Sequence, residues 1–221
     1  MAAENQEIDN AALLRRLTAT ISPDRTGRYL NAAGHDPARA LALYLWNAQI
    51  GEAFHVPIQT VEVALRNRIN QCLKELYGAE WWEHDNLKDI LDGERRADLE
   101  LVFRRIRNRE LETTNSQVVA GLSFGFWAGL LQSRYNPEIW SRKLRVAFPN
   151  LPQNRGRKSV ATRAGQIAYL RNRITHHEPI FYRDLSKDYH EIMEFLEWLC
   201  PTMSTWIRPH CRVPVVLRQK P

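Results

Sequence analysis

The chain has 221 residues, 44% hydrophobic and 25% charged, with a formal net charge of +6. That length buries a substantial core in one domain or at most two small ones, and the composition excludes a disordered or fibrous chain while the basic excess favours an acidic partner. Cys72, Cys200 and Cys211 are too few and too widely spaced for a disulfide framework, no apolar run nears the ~20 residues that span a bilayer, and Met1 to Glu7 carries neither a basic nor an apolar leader, so a cytoplasmic, non-membrane protein is expected.

Helical periodicity dominates and alternating strand patterns are nearly absent, which predicts an all-α fold. A first helix is expected over Glu7 to Thr20, followed by a linker to residue 35. Asp36-Pro37 supplies an N-cap and a first-turn proline for a helix through Leu41, Tyr44, Leu45, Ala48 and Ile50. Pro57 is expected to open the next, with Ile58, Val61, Leu65, Ile69, Cys72 and Leu76 as its apolar stripe and Gly78 as its stop. A charged helix from Leu87 to Leu111 turns Leu99, Val102, Phe103 and Ile106 inward. Its Arg104, Arg105, Arg107 and Arg109 are surrounded by Glu94, Asp98, Glu100, Glu110 and Glu112 and read as a solvated face.

Asn115 or Ser116 then caps an apolar helix from Val118 to Leu131, whose Gly121, Gly125 and Gly129 share one face and allow close approach. Pro137 starts a short helix ending at Phe148-Pro149, and 150–158 form a polar loop. A helix from Ser159 to His177 is stopped by Pro179, and a last one from Ser186 to Leu199 is broken by Pro201. Arg212 to Leu217 is expected as a short extended arm. The expected organisation is an N-terminal helix and linker (1–35), a helical domain (36–206) and a C-terminal tail (207–221).

Leu170-Arg-Asn-Arg-Ile-Thr-His-His-Glu-Pro179 concentrates the chemistry. Between Glu138 and Glu178 no acidic residue occurs, while Arg142, Lys143, Arg145, Arg155, Arg157, Lys158, Arg163, Arg171 and Arg173 all fall there. A polyanion is the first partner to consider. Along the helix the apolar stripe runs Val160, Ala164, Ile167, then Arg171, then Ile174, so Arg171 takes a core-facing position. A buried guanidinium needs an anion or carbonyls. Either Glu62, which shares a helix face with Arg66 and Asn70, pairs with it, or Arg171 lines a cleft and awaits a phosphate.

His176 and His177 sit at the helix end, suited either to hydrogen-bonding the last carbonyls or to general acid and base work. His-His-Glu lacks metal-ligand spacing, as does the set Cys200, His210 and Cys211, and neither a metal nor another cofactor is expected.

These residues resemble the signature of the Abi-like family (AbiD/AbiF type abortive-infection proteins) of the HEPN superfamily. Glu62-x-x-Leu65-Arg66-Asn67, Tyr77-Gly78 with Trp81-Trp82, and Leu122-Ser-Phe-Gly-Phe-Trp127 are similar to that family in the same order, covering most of Pro57 to Tyr182. The resemblance implies a single-domain, multi-helix HEPN-like bundle and a metal-independent endoribonuclease, a toxin of phage defence or of a toxin–antitoxin system. It makes Arg171, Asn172 and His176 catalytic, with His177 as the rival one residue further on, and gives Glu62, Arg66 and Asn67 a supporting role. The implied chemistry is attack by the ribose 2′-hydroxyl, leaving 2′,3′-cyclic phosphate and 5′-hydroxyl ends. Two motifs facing across a homodimer would form a composite site. Arg142, Lys143, Arg145, Arg155, Arg157, Lys158, Arg163 and Arg173 are the expected RNA-binding residues. A non-catalytic module holding a small structured RNA, or a purely structural helical interaction protein, are the alternatives.

Overall fold

The computed structural model describes residues 9–221, and all regular elements among them are helical. Helix α1 (Asn10–Ile21) starts where Asp9 accepts hydrogen bonds from the Ala11 and Ala12 amides; the expected start at Glu7 lies outside the described residues. Ser22, at φ 103°, turns the chain into α2 (Pro23–Ala32), so much of the expected linker is a helix.

Helix α3 (Pro37–Tyr77) runs 41 residues, about 60 Å at 1.5 Å per residue. Asp36 caps its start and Gly78, at φ 94°, ends it, both as the sequence suggests. Pro57 does not open a new helix: it lies inside this one. An internal proline removes one backbone bond and crowds the preceding turn, a cost of about 3 kcal/mol. Phe54, Pro57, Ile58 and Val61 are all buried around it, and that burial offsets the loss. A proline read on its own signals a helix start, whereas here tertiary packing overrides it.

The charged segment divides into α4 (Asp85–Ile90) and α5 (Gly93–Asn108), because Asp92 caps α5 by accepting from the Arg95 amide at 2.9 Å. Leu99, Val102 and Ile106 are buried as expected, and Phe103 packs partly against the core. The apolar segment divides as well, into α6 (Asn115–Gly121) and α7 (Phe124–Gly129). Thr114, rather than Asn115 or Ser116, caps α6 in a reciprocal arrangement with Gln117. Ser123 caps α7 by accepting from the Phe126 amide at 3.1 Å. Close approach does occur at the glycines: a methyl group on Gly121 would meet Val102, and one on Gly129 would meet the Arg95 guanidinium.

From Pro137 the expected helix is replaced by 3₁₀ turns at Ser133–Tyr135 and Leu144–Ala147 with a single π turn at Asn136–Trp140 between them. Helices α8 (Arg157–Thr175), α9 (Leu185–Leu199) and α10 (Pro201–Ile207) follow. Pro201 ends α9 and also opens α10. The C-terminal segment is no extended arm: it forms α11 (Val213–Leu217), with Val213 and Val216 buried. Trp46 Nε1 on α3 donates to the Val216 carbonyl at 2.8 Å.

Helix α3 is the axis against which α1, α2, α7, α8, α9 and α11 pack. One continuous core runs from Tyr29 to Val216 and draws residues from all three expected segments. No described helix is long and apolar enough to cross a membrane.

Candidate functional site

Helix α8 buries Val160, Ala164, Ile167 and Leu170. Leu170, not Arg171, completes the buried stripe; the two are about 100° apart on the helix, and Arg171 lies at the stripe's margin. Its Nε is 3.7 Å from Glu62 Oε2 on α3, with side chains 34% and 24% exposed. Nη1 makes a long 3.4 Å contact to Asn172 Oδ1, and Nη2 makes no hydrogen bond among the described residues. Arg171 is therefore held at Nε and loosely at Nη1 while Nη2 stays available, which leaves a donor for a phosphate.

The end of α8 is built by backbone geometry. His176 is the C-cap, and His177 adopts φ 55°. The His177 amide donates to the Ile174 carbonyl at 3.0 Å and the Glu178 amide to the Arg173 carbonyl at 2.8 Å. These two bonds form a Schellman turn, whose left-handed position ordinarily holds glycine. A histidine there carries a conformational cost. Replacing His177 with glycine is expected to keep the turn and stabilise the fold by about 0.5–1 kcal/mol. Thermal unfolding checks this: a lower midpoint would mean that the imidazole itself holds the turn.

Arg173 fastens the segment beyond the turn. Its Nη2 donates to the Pro179 carbonyl at 3.0 Å, it pairs with Glu178 at 3.0 Å, and it lies over the rings of Tyr169 and Tyr182. Asn47 Oδ1 on α3 accepts from the buried Ile180 amide at 2.7 Å, tying the same segment to the long helix. At the crossing of α3 and α8, a methyl group on Gly51 would sit 3.5 Å from Ile174, so the two helices pass closely there.

Two adjoining clefts lie along this crossing. The larger, about 570 Å³, includes Arg25, Tyr29, Tyr44, Glu52, His55 and His177 in its wall. The smaller, about 160 Å³, includes His55, Glu62 and Arg171. His55, Ile174 and Thr175 line both, making them one groove. Of the two candidate histidines, both exposed, His177 lines the larger cleft and His176 lines neither. Asn172 and Asn67 are exposed outside the groove, and Arg66 lies outside it with a buried Nε that has no hydrogen-bond partner. Sequence reasoning missed His55, Arg25 and the two tyrosines. The spacing His55, Gln59, Glu62 on one face of α3 was the available signal.

The basic interval looks different in space. Arg163 donates to the Glu191 carbonyl, pairs with Glu191 and Glu194, and packs over Trp198. Lys143 pairs with Glu75, Arg142 with Glu138, and Arg157 donates to the Leu131 carbonyl. Arg163 and Arg173, expected on an RNA surface, are instead mostly buried fasteners, with side chains 12% and 16% exposed. Arg145, Arg155 and Lys158 are exposed and form no ion pair among the described residues. Lys158 and Arg171 are 13 positions apart on α8, about 20 Å, so they cannot serve one phosphate.

Among the described residues no group of three or more histidine, cysteine, aspartate or glutamate side chains is placed to hold a metal ion. No protein-family model matches the chain, and no curated protein or solved structure matches it.

Proposed function

We propose that this protein is a metal-independent endoribonuclease whose working groove lies where α8 crosses α3. The observation that carries the reading is one groove lined by both Arg171, whose Nη2 makes no hydrogen bond among the described residues, and His177, six residues further on. Arg171 would bind the phosphoryl oxygens and favour the charge that builds there in the transition state. His177 would exchange a proton with the ribose 2′-hydroxyl or the departing 5′-oxygen. DNA, lacking that hydroxyl, would resist. Glu62 would hold Arg171 in place between substrates. A role as a toxin in phage defence or a toxin–antitoxin system, and membership of the Abi-like family, rest on the motif resemblance.

A homodimer with a composite site belongs to the same proposal. An apolar groove formed by Val56, Val63 and the 66% exposed Trp206 adjoins the site, sharing Gln59 with the smaller cleft, and a second copy of the chain would cover it.

Incubating purified protein with total RNA in EDTA tests the reading. New 5′-hydroxyl and 2′,3′-cyclic phosphate ends are the expected result, and intact RNA sinks the nuclease. A second reading, an RNA-holding module that does not cut, is favoured by the exposed, unpaired Arg145, Arg155 and Lys158 away from the groove. It would appear as salt-sensitive binding without cleavage.

A further inference from the structure

Cleavage by 2′-hydroxyl attack moves two protons. One leaves the 2′-oxygen as it bonds to phosphorus, and another must reach the 5′-oxygen as its bond to phosphorus breaks. A single imidazole can serve both ends only by turning between them. The groove contains a second imidazole that the motif does not include. His55, on α3, is exposed and is the histidine lining both clefts, between the Arg171 side and the His177 side.

We propose that His55 is the second proton-transfer group of this groove, paired with His177 in the same chain. The inference rests on the nuclease reading above. One of the two imidazoles takes the 2′-hydroxyl proton while the other, as imidazolium, delivers a proton to the leaving 5′-oxygen. The products are the cyclic phosphate and the free 5′-hydroxyl, and solvent restores both protonation states. Three cationic or neutral groups and three carboxylates surround the pair: Arg25 from α2, Arg171 and the partner imidazole from α8 and its turn, and Glu52, Glu62 and Glu178. Arg25 adds a guanidinium to the wall of the larger cleft, a positive charge beside the path of a phosphate backbone.

His55→Gln and His177→Asn serve as the test variants. Position 55 is a solvent-facing helical site, and asparagine tolerates the left-handed backbone at 177. Each is expected to lower cleavage of ordinary RNA by about 100-fold or more, with RNA binding and helical circular dichroism unchanged. An RNA with sulfur in place of the bridging 5′-oxygen needs no proton on its leaving group. That substrate is expected to restore cleavage in one variant and not in the other, a split that a merely structural role would not produce. If His55→Gln cuts ordinary RNA within threefold of wild type while His177→Asn is impaired, the role of His55 is overturned and the nuclease reading stands. Equal behaviour of both variants on the sulfur substrate overturns the division of labour. Failure of the wild-type protein to cut either substrate removes the nuclease reading itself.

Discussion

Arg171→Ala is expected to lower RNA cleavage by about 100- to 1,000-fold, the range seen when one donor to a developing oxyanion is removed. The same change should leave the fold nearly untouched. Arg171 is a third exposed, its ion pair with Glu62 spans 3.7 Å, and exposed pairs of this kind contribute about 0–1 kcal/mol. Function and stability therefore separate at this residue, which a buried arginine would not allow. Arg171→Lys should recover little, because an ammonium cannot present the two parallel donors of the guanidinium fork. Glu62→Gln is expected to cost less than tenfold, since it removes a tether and not a contact to the phosphate. Rates on a short RNA, measured beside thermal midpoints, check all three variants. A destabilised Arg171→Ala protein, or one that cuts at the wild-type rate, would remove Arg171 from the chemistry and return it to the scaffold.

The Glu62–Arg171 pairing was legible in the sequence because helical spacing narrows the choice of face on both helices. So were the ends of α3, since Asp36-Pro37 and Gly78 act through local backbone geometry. Other features depend on residues remote in the chain. Pro57 continues a helix only because Phe54, Ile58 and Val61 are buried around it. The basic interval loses much of its free charge to Glu75, Glu191 and Glu194, which lie outside it. The different placing of His176 and His177 depends on one left-handed residue, which redirects the chain at the helix end, so that only His177 lines the groove. His55 leaves only a weak trace in the sequence, its spacing with Gln59 and Glu62 on one face of α3, because a groove formed by two crossing helices depends on a partner remote in the chain.

Asp92→Ala is expected to destabilise the fold strongly, by about 3–5 kcal/mol, the usual result of stripping one member from a buried ion pair. Asp92 caps α5, accepts from the Tyr135 hydroxyl at 2.9 Å and faces Arg95 Nη1 at 3.4 Å. Arg95 is only 9% exposed and also donates to the Gly125 carbonyl at 3.3 Å. Without the aspartate, Glu94 remains as its other carboxylate partner, but that side chain is 82% exposed and holds the guanidinium weakly. For a chain of this size the thermal midpoint should fall by about 6–20 °C.

Gly129→Ala would act from the other side, because its methyl group would displace the Arg95 guanidinium; overpacking of this kind costs about 1–3 kcal/mol. Removing both charges with Asp92→Ala and Arg95→Met should be milder than Asp92→Ala alone, since no buried cation is then left without its partner. Burial by itself would raise the Asp92 carboxyl, but the Arg95 amide, the Tyr135 hydroxyl and the Arg95 charge outweigh it and hold the group below the usual carboxylate range. A depressed folded-state value stabilises the protein above the unfolded value of about 4, and that stabilisation is lost as pH falls through the folded value. Acid unfolding of the wild type should therefore steepen below about pH 4, and the Asp92→Ala protein should lack that component. Equal acid sensitivity of the two proteins would show that the hub draws its stability from packing and not from this charge.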